Sequence, residues 1–191
     1  YLKENPKASL LKSFRKMADA QVAQYKEFAS DDWHWFEDQL TYSNSKLAES
    51  LFYAYDLTKN LEYLDVAQKT LKFLKTITFE KDHYSPIGQN GWYFRNKKRA
   101  YFDQQPEETS TMVETKAVAY KVTGDKQYLK DALRVFNWFL GKNHLGQTVY
   151  DEATGGCYDG VGQYAINLNQ GAESTISYLL ARLALEEVKS I

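Results

Sequence analysis

Part of this chain repeats itself. Residues 46–74 overlay residues 111–139 at an offset of 65 without a gap. Glu49 falls on Glu114, Ala54 on Ala119, Tyr55 on Tyr120, Thr58 on Thr123, Tyr63 on Tyr128, Leu64 on Leu129 and Ala67 on Ala132. The matches occupy corresponding positions in a helix, a tight turn and a second helix. Such a unit is an αα-hairpin, which buries its apolar faces by stacking on copies of itself. A third unit opens at Ala172-Glu173-Ser174, echoing Ala48-Glu49-Ser50 and Val113-Glu114-Thr115. The repeat therefore restricts the chain to an all-α fold built from hairpins.

The remaining pattern agrees. Only 10 Gly and 3 Pro are present, so few breakers interrupt the helices. Asn5-Pro6 is a start signal for a first helix, with Leu10, Phe14, Met17, Ala18, Gln21, Tyr25 and Phe28 at helical spacing to about Ser30. A second helix is expected from about Ser45 to Leu57. A third, capped by Asn60, carries Leu61, Leu64, Ala67, Leu71 and Leu74 on one stripe. A fourth runs from about Glu107 to Val122 and ends at Gly124. Asp125 caps a fifth, whose inward residues are expected to be Leu129, Ala132, Leu133, Phe136 and Leu140. The last carries Ile176, Leu179, Leu180, Leu183 and Val188.

Three long connections, 31–43, 84–105 and 141–170, separate these helices, and Asn90-Gly91 predicts a short hairpin in the second. With 191 residues the chain is long enough for one domain and short for two. Residues 1–191 thus read as a single helical domain with repeat units at about 45–78, 110–142 and 170–191. In a ring of αα-hairpins the connections converge around one funnel, where concave ligand sites form. A full six-hairpin ring needs more residues than this, so the chain reads as a half-ring or as part of a longer protein. A self-contained helical bundle with decorated loops is the alternative.

Composition removes several functions. Lys and Arg number 24 against 25 Asp and Glu, which lacks the basic footprint of a nucleic-acid binder. No run approaches the ~18 to 20 apolar residues of a membrane span. Cys157, the single cysteine, can form neither an internal disulfide nor a cysteine-based zinc site, and reads as a small inert residue. The chain opens on Tyr1 without an initiator Met or signal peptide, as expected of a processed or excised piece, and a cytoplasmic setting is expected. Aromatic residues reach 15%, with 15 Tyr. Rings with a polar edge suit wet clefts as well as cores.

The long motifs WHWFEDQLTYSNSKL, PIGQNGWYFRNKKRAYFDQQPEET, VTGDKQYL, FLGKN and YDEATGGCYDGV followed by NLNQGAEST carry a resemblance. Together they resemble a six-hairpin-glycosidase-like helical domain of bacteria, of the kind found beside or fused to family-4-type glycosyltransferases. The similarity covers about residues 31 to 185. It implies an (α/α)6-like toroid and association with glycans more firmly than it implies a reaction.

The connections hold the chemistry expected of a sugar site. Aromatic rings stack on the apolar faces of sugars while amides and carboxylates take the hydroxyls. Candidate binding residues are Trp33, Trp35, Tyr42 and Asn44 in the first connection and Trp92, Tyr101, Gln104 and Gln105 in the second. The third contributes Asp159, Asn169 and Gln170. Glycoside hydrolysis needs a general acid and a second carboxylate flanking the bond. Asp38 and Asp103 are the first candidates, followed by Glu37 and Glu173. Glu37 and Asp38 have an alternative reading as helix caps or ion-pair partners. Glu173 matches Glu49 and Glu114 and is equally read as a repeated structural acceptor. Glu107 and Glu108 fall in a first helical turn, where acids favour the helix dipole.

No cofactor is expected. His34, His83 and His144 lie far apart and no HExxH or Cys/His spacing is present, although a loop-built calcium site stays open. The glycine-rich loop 155–160 lacks the Gly-Lys-Ser/Thr ending of a phosphate loop, and no GxSxG is present. The expected partners are a carbohydrate and either a glycosyltransferase domain or the rest of a toroid. Two functions lead, a glycan hydrolase and a non-catalytic glycan-holding or scaffolding module; a sugar epimerase with a similar ring is a further alternative, although that chemistry prefers paired histidines.

Overall fold

The turn inside each hairpin is built twice from the same hydrogen bonds. In the computed structural model, which describes Asn5 and residues 7–189, α2 (Ser45–Thr58) leads to α3 (Leu61–Thr78) as α4 (Pro106–Thr123) leads to α5 (Lys126–Phe136). Lys59 and Gly124 both adopt the left-handed conformation, at φ 58° and 75°. Their N–H groups donate to Tyr55 O at 2.7 Å and Tyr120 O at 2.8 Å. Thr58 and Thr123 donate to the carbonyls of Ala54 and Ala119, and their hydroxyls accept from the N–H of Asn60 and Asp125. Asn60 and Asp125 then cap the next helix by accepting from Glu62 N and Gln127 N at 3.0 and 2.8 Å. Three of the seven identities in the sequence repeat, Ala54, Tyr55 and Thr58, are thus residues of this turn.

Around these hairpins stand α1 (Ala8–Phe28) and α6 (Ala172–Lys189). The order of packing follows the chain. Helix α4 lies between α2 and α6; α3 packs on α2, α5 on α4 and α6, and α1 on α2 and α3. Four two-residue strands tie down the connections. β1 (Gln39–Leu40) pairs antiparallel with β2 (Tyr93–Phe94), and β3 (Gly160–Val161) with β4 (Ile166–Asn167). The second connection thus pairs with the first one, at register Gln39↔Phe94, whereas Asn90-Gly91 predicted a hairpin within the second.

The helix faces need several corrections. Helix α1 starts at Ala8, with Lys7 making no side-chain cap, and Pro6 lies outside the described residues. Its buried stripe is Ala18, Val22 and Tyr25, while Leu10 and Met17 are exposed. Leu61 opens α3 at its exposed end. Leu133 is exposed too, on the face of α5 away from Ala132, Val135 and Phe136, and so is Leu140, because α5 ends at Phe136 and the chain tightens there into successive turns. Helix α6 differs most. Ser174, Ser177, Tyr178, Ala181, Leu185 and Val188 are buried, leaving Ile176, Leu179, Leu180 and Leu183 exposed. Two apolar stripes are written on this helix, and only one has a neighbour.

One ion pair sits inside the helix layer. Lys116 of α4 is 1% exposed and donates to Asp131 of α5 at 3.2 Å, while Lys75 of α3 reaches the same carboxylate at 2.8 Å. Burial lowers the Lys116 pKa to about 8 against the opposing pull of Asp131. In the repeat these two positions match Leu51 and Val66.

Candidate functional site

The first turns of α4 and α6 bring three glutamates together. Pro106 starts α4 where its missing N–H costs nothing, and Glu107 and Glu108 follow in the positive end of the helix dipole. Glu173 occupies the same place in α6. The first connection closes over them. The Ser43 backbone N–H donates to Glu108 Oε1, its hydroxyl donates to Glu107 Oε1, and Asn44 Nδ2 donates to Glu108 Oε2 at 3.2 Å. The Tyr42 hydroxyl reaches Glu173 at 3.3 Å.

Burial and its neighbours set the charge state of this cluster. Burial, reinforced by the Glu107 charge, pushes Glu108 up to about 8 despite the donors from Asn44 and Ser43. Glu107 is raised by burial and by Glu173, against the pull of Ser43 and Lys46. Near neutrality Glu108 thus carries a proton that its neighbour can accept. Burial and the surrounding glutamates likewise raise Tyr42 to about 12, so its hydroxyl stays a donor.

Beside this cluster opens a cavity of about 540 Å³. Gln89, Asp103 and Gln105 line it from the second connection, Asp159 and Asn167 from the third, and Glu173 and Ser174 from α6. Asp103 is presented by an extended segment. Gln104 is anchored by antiparallel bonds to Val161, and its side chain is buried between Ser85, Tyr101 O and the Trp138 indole. Residues 103 and 105 therefore face the cavity, while Phe102 and Gln104 face a second hollow of about 390 Å³ shared with Tyr101, His83 and His144. Alternation along an extended chain makes the segment a wall between the two.

The carboxylates lining the cavity differ in partners. Asp159 accepts from Gly171 N and Ser174 Oγ, both at 2.7 Å, and from Asn169 Nδ2. Those bonds outweigh burial and lower its pKa. Glu173 accepts from Tyr42. The Asp103 carboxylate has no hydrogen-bond or ion-pair partner among the described residues.

Of the residues expected from the sequence, Asp103, Gln105, Asp159 and Glu173 meet at this cavity. Tyr42 joins them through Glu173, with Trp92 at its edge at a ring separation of 5.6 Å. Asn44 and Asn169 hold Glu108 and Asp159 in place. Gln170 instead bonds Asp151 and Thr154.

Others are placed elsewhere. Trp35 is 0% exposed and packs against Phe36 and Phe73; Trp33 packs on Phe73 and Tyr93 and donates to Glu37 O at 2.7 Å. Both are core rings. Gln104 is buried and fully used. Tyr101 lies under the Arg99 guanidinium, 4.3 Å from its ring centre, on the other side of the wall. Asp38 is drawn to Arg95 at 3.3 Å, because β1–β2 pairing sets the two side by side, and neither Asp38 nor Glu37 lines the cavity. The expected Asp38–Asp103 pair therefore does not share it.

Gln89 was not anticipated from the sequence; it reaches the cavity because its N–H bonds Asp103 O at 3.0 Å. Cys157 is buried, with its pKa pushed by burial up to about 12, which leaves it unreactive. Among the described residues no three His, Cys, Asp or Glu are placed to hold a metal ion, and no helix is long and apolar enough to cross a membrane.

No protein-family model and no curated protein matches the chain. Solved structures do. A glycoside hydrolase family 76 mannosidase from Bacteroides thetaiotaomicron superposes with a TM-score of 0.59 at 17% identity, over 78% of this chain and 39% of its own. An inactive α-1,6-mannanase from Salegentibacter, with two consecutive Asp replaced by Asn and α-1,6-mannotriose bound, gives 0.60 at 15% identity, over 92% of this chain and 54% of its own. An unsaturated glucuronyl hydrolase specific for heparin gives 0.57 at 14%, over the whole of this chain and 72% of its own. The chain thus spans about two-fifths to one-half of the mannosidase and the mannanase. At these identities the likeness establishes the fold alone: an all-α arrangement of αα-hairpins forming part of an (α/α) toroid.

Proposed function

We propose that this chain is the glycan-binding part of a toroid glycosidase, with Asp103 and Glu173 as its reacting carboxylates. One observation carries the reading: carboxylates from the second connection, the third and α6 line a single cavity, and Asp103 has no partner among the described residues. Hydrolysis of a glycosidic bond requires a proton donor for the leaving oxygen and a second carboxylate to attack the sugar or to activate water. The mannotriose bound to the inactive mannanase supports an oligosaccharide as the kind of substrate. Tyr42 positions Glu173, and the layer of Glu107, Glu108 and Ser43 lies beneath.

Turnover of α-1,6-manno-oligosaccharides and other linkages, with affinity measured in parallel, tests the proposal. Asp103→Asn and Glu173→Gln should each lower turnover by ~10²–10⁴-fold and leave affinity within about tenfold. Binding without turnover by the unsubstituted protein would overturn the enzymatic half. It would leave a glycan-holding module, of the kind expected beside a family-4-type glycosyltransferase or completed by the rest of a toroid.

A further inference from the structure

The cavity is charged with one sign only. Asp103, Asp159 and Glu173 line it, and among the described residues no Lys, Arg or His does. The nearby cations are committed elsewhere. Lys46 bonds Glu49 and Glu114, and Arg99 is held by Ile77 O, Ser85 and Pro86 O behind the wall. The first turn of α6 would be the natural seat for an anionic group, since its N–H groups point outward. Asp159 stands beside that seat, bonded to Gly171 N just before the helix and to Ser174 Oγ, and Glu173 lies within the first turn itself, so two negative charges face any anion that approaches it.

The cavity therefore offers acceptors and lacks donors of positive charge. Asp103 accepts nothing from the fold, and Glu173 accepts one long bond from Tyr42. Gln89 and Gln105 complete the rim with neutral amides. A uronate or sulfated sugar would bring a further negative charge against three carboxylates that no Lys, Arg or His of the lining balances. An ammonium group brings three donors and the opposite charge.

Resting on the glycan reading above, we infer that the site selects a sugar bearing a free amino group, a hexosamine unit, and rejects anionic sugars. Such selection works through repulsion of the wrong ligand as much as through attraction of the right one. Asp103 provides most of the preference, because its carboxylate gives up no internal hydrogen bond to reach the ligand. Glu173 provides the rest.

The experiment compares three probes at equal chain length on the whole protein: a glucosamine tetramer, its fully N-acetylated counterpart, and a tetramer containing uronate. At pH 6 and low ionic strength the glucosamine tetramer should bind at least about tenfold tighter than the acetylated one. The uronate probe should bind weakest. Raising the salt to about 0.5 M should erase most of the difference, since screening acts on the charge and not on the shared hydroxyls. Asp103→Asn should shrink the preference to about threefold or less, and a conservative Asp103→Glu should restore part of it. Equal affinity for the amino and acetylated probes, or tighter binding of the uronate, overturns the inference. Tight binding of neutral manno-oligosaccharides with no amino preference would overturn it while leaving the glycan reading intact. No binding of any sugar would overturn both.

Discussion

Glu49 and Glu114, 65 positions apart and equivalent in the repeat, share one ammonium: Lys46 Nζ lies 2.9 Å from the first and 2.7 Å from the second. Thr115 and Ser110 donate to the same two carboxylates at 3.0 and 2.9 Å. The repeat thus places like charges on neighbouring helices, and a residue outside the identities joins them.

Lys46→Met should cost about 1 kcal/mol of stability, since Lys46 is partly exposed and screened and the loss leaves two facing glutamates. Urea unfolding of Lys46→Met, Glu114→Gln and the double variant measures the coupling. Additive effects would show that the triad contributes nothing.

Stability should fall with rising pH between about 5 and 8. Glu108 has its pKa raised by burial to about 8 in the folded state against the usual carboxylate value of ~4.3 unfolded. The folded chain therefore holds the extra proton in that window, and its stabilising effect, complete below the unfolded pKa, is lost as pH rises through the folded one. Glu107 shifts in the same direction. Glu108→Gln should flatten the pH dependence of the urea midpoint. A midpoint that rises over this range would contradict the assignment.

Asp131→Ala should destabilise by about 3–5 kcal/mol, because it leaves Lys116 buried without a counter-charge. The double change Lys116→Leu with Asp131→Val, copying the residues at the equivalent repeat positions, should come within about 1–2 kcal/mol of the parent. Thermal unfolding checks both. Equal losses in the two variants would mean that the ion pair is not the cause.

Gly88→Ala should disturb the cavity wall. A Cβ there would collide with the backbone N and O of Phe102, next to Asp103. A loss of about 1–3 kcal/mol and weaker sugar binding are expected, whereas Gly124→Ala, with nothing within 4 Å, should lose stability through its positive φ alone and spare binding. Calorimetric titration with the preferred probe separates the two.

The hairpins were legible in the sequence because their turn chemistry is local. Thr58 and Asn60 act within a few residues of themselves, as do Thr123 and Asp125. The fate of the aromatic connections was not. Trp33 and Trp35 turn inward because β1 pairs with β2, more than fifty residues away, and no periodicity in 31–43 records that. Asp38 stands away from the cavity for the same reason, since Arg95 arrives with the same strand pairing. Asp103 lines the cavity because it lies on an extended segment pinned at Gln104. The Lys116–Asp131 pair left a trace as two charges in slots that the other repeat fills with Leu51 and Val66. On α6 the apolar spacing was visible, but periodicity names the stripes and not which of them finds a neighbour.

That second stripe ties the flank of the molecule to its chemistry. Ile176 is 54% exposed, whereas Phe52 and Ala117, its counterparts in the preceding units, are 0% and 2%. The helix that bears it also carries Glu173 and Ser174 at the cavity. Any surface that shields the stripe and any sugar that engages Glu173 bind the same folded helix in preference to its frayed form. By mass action each then raises the other's apparent affinity, even though the two never touch. Melting of α6, followed by amide exchange along residues 172–189, reads both events on one scale.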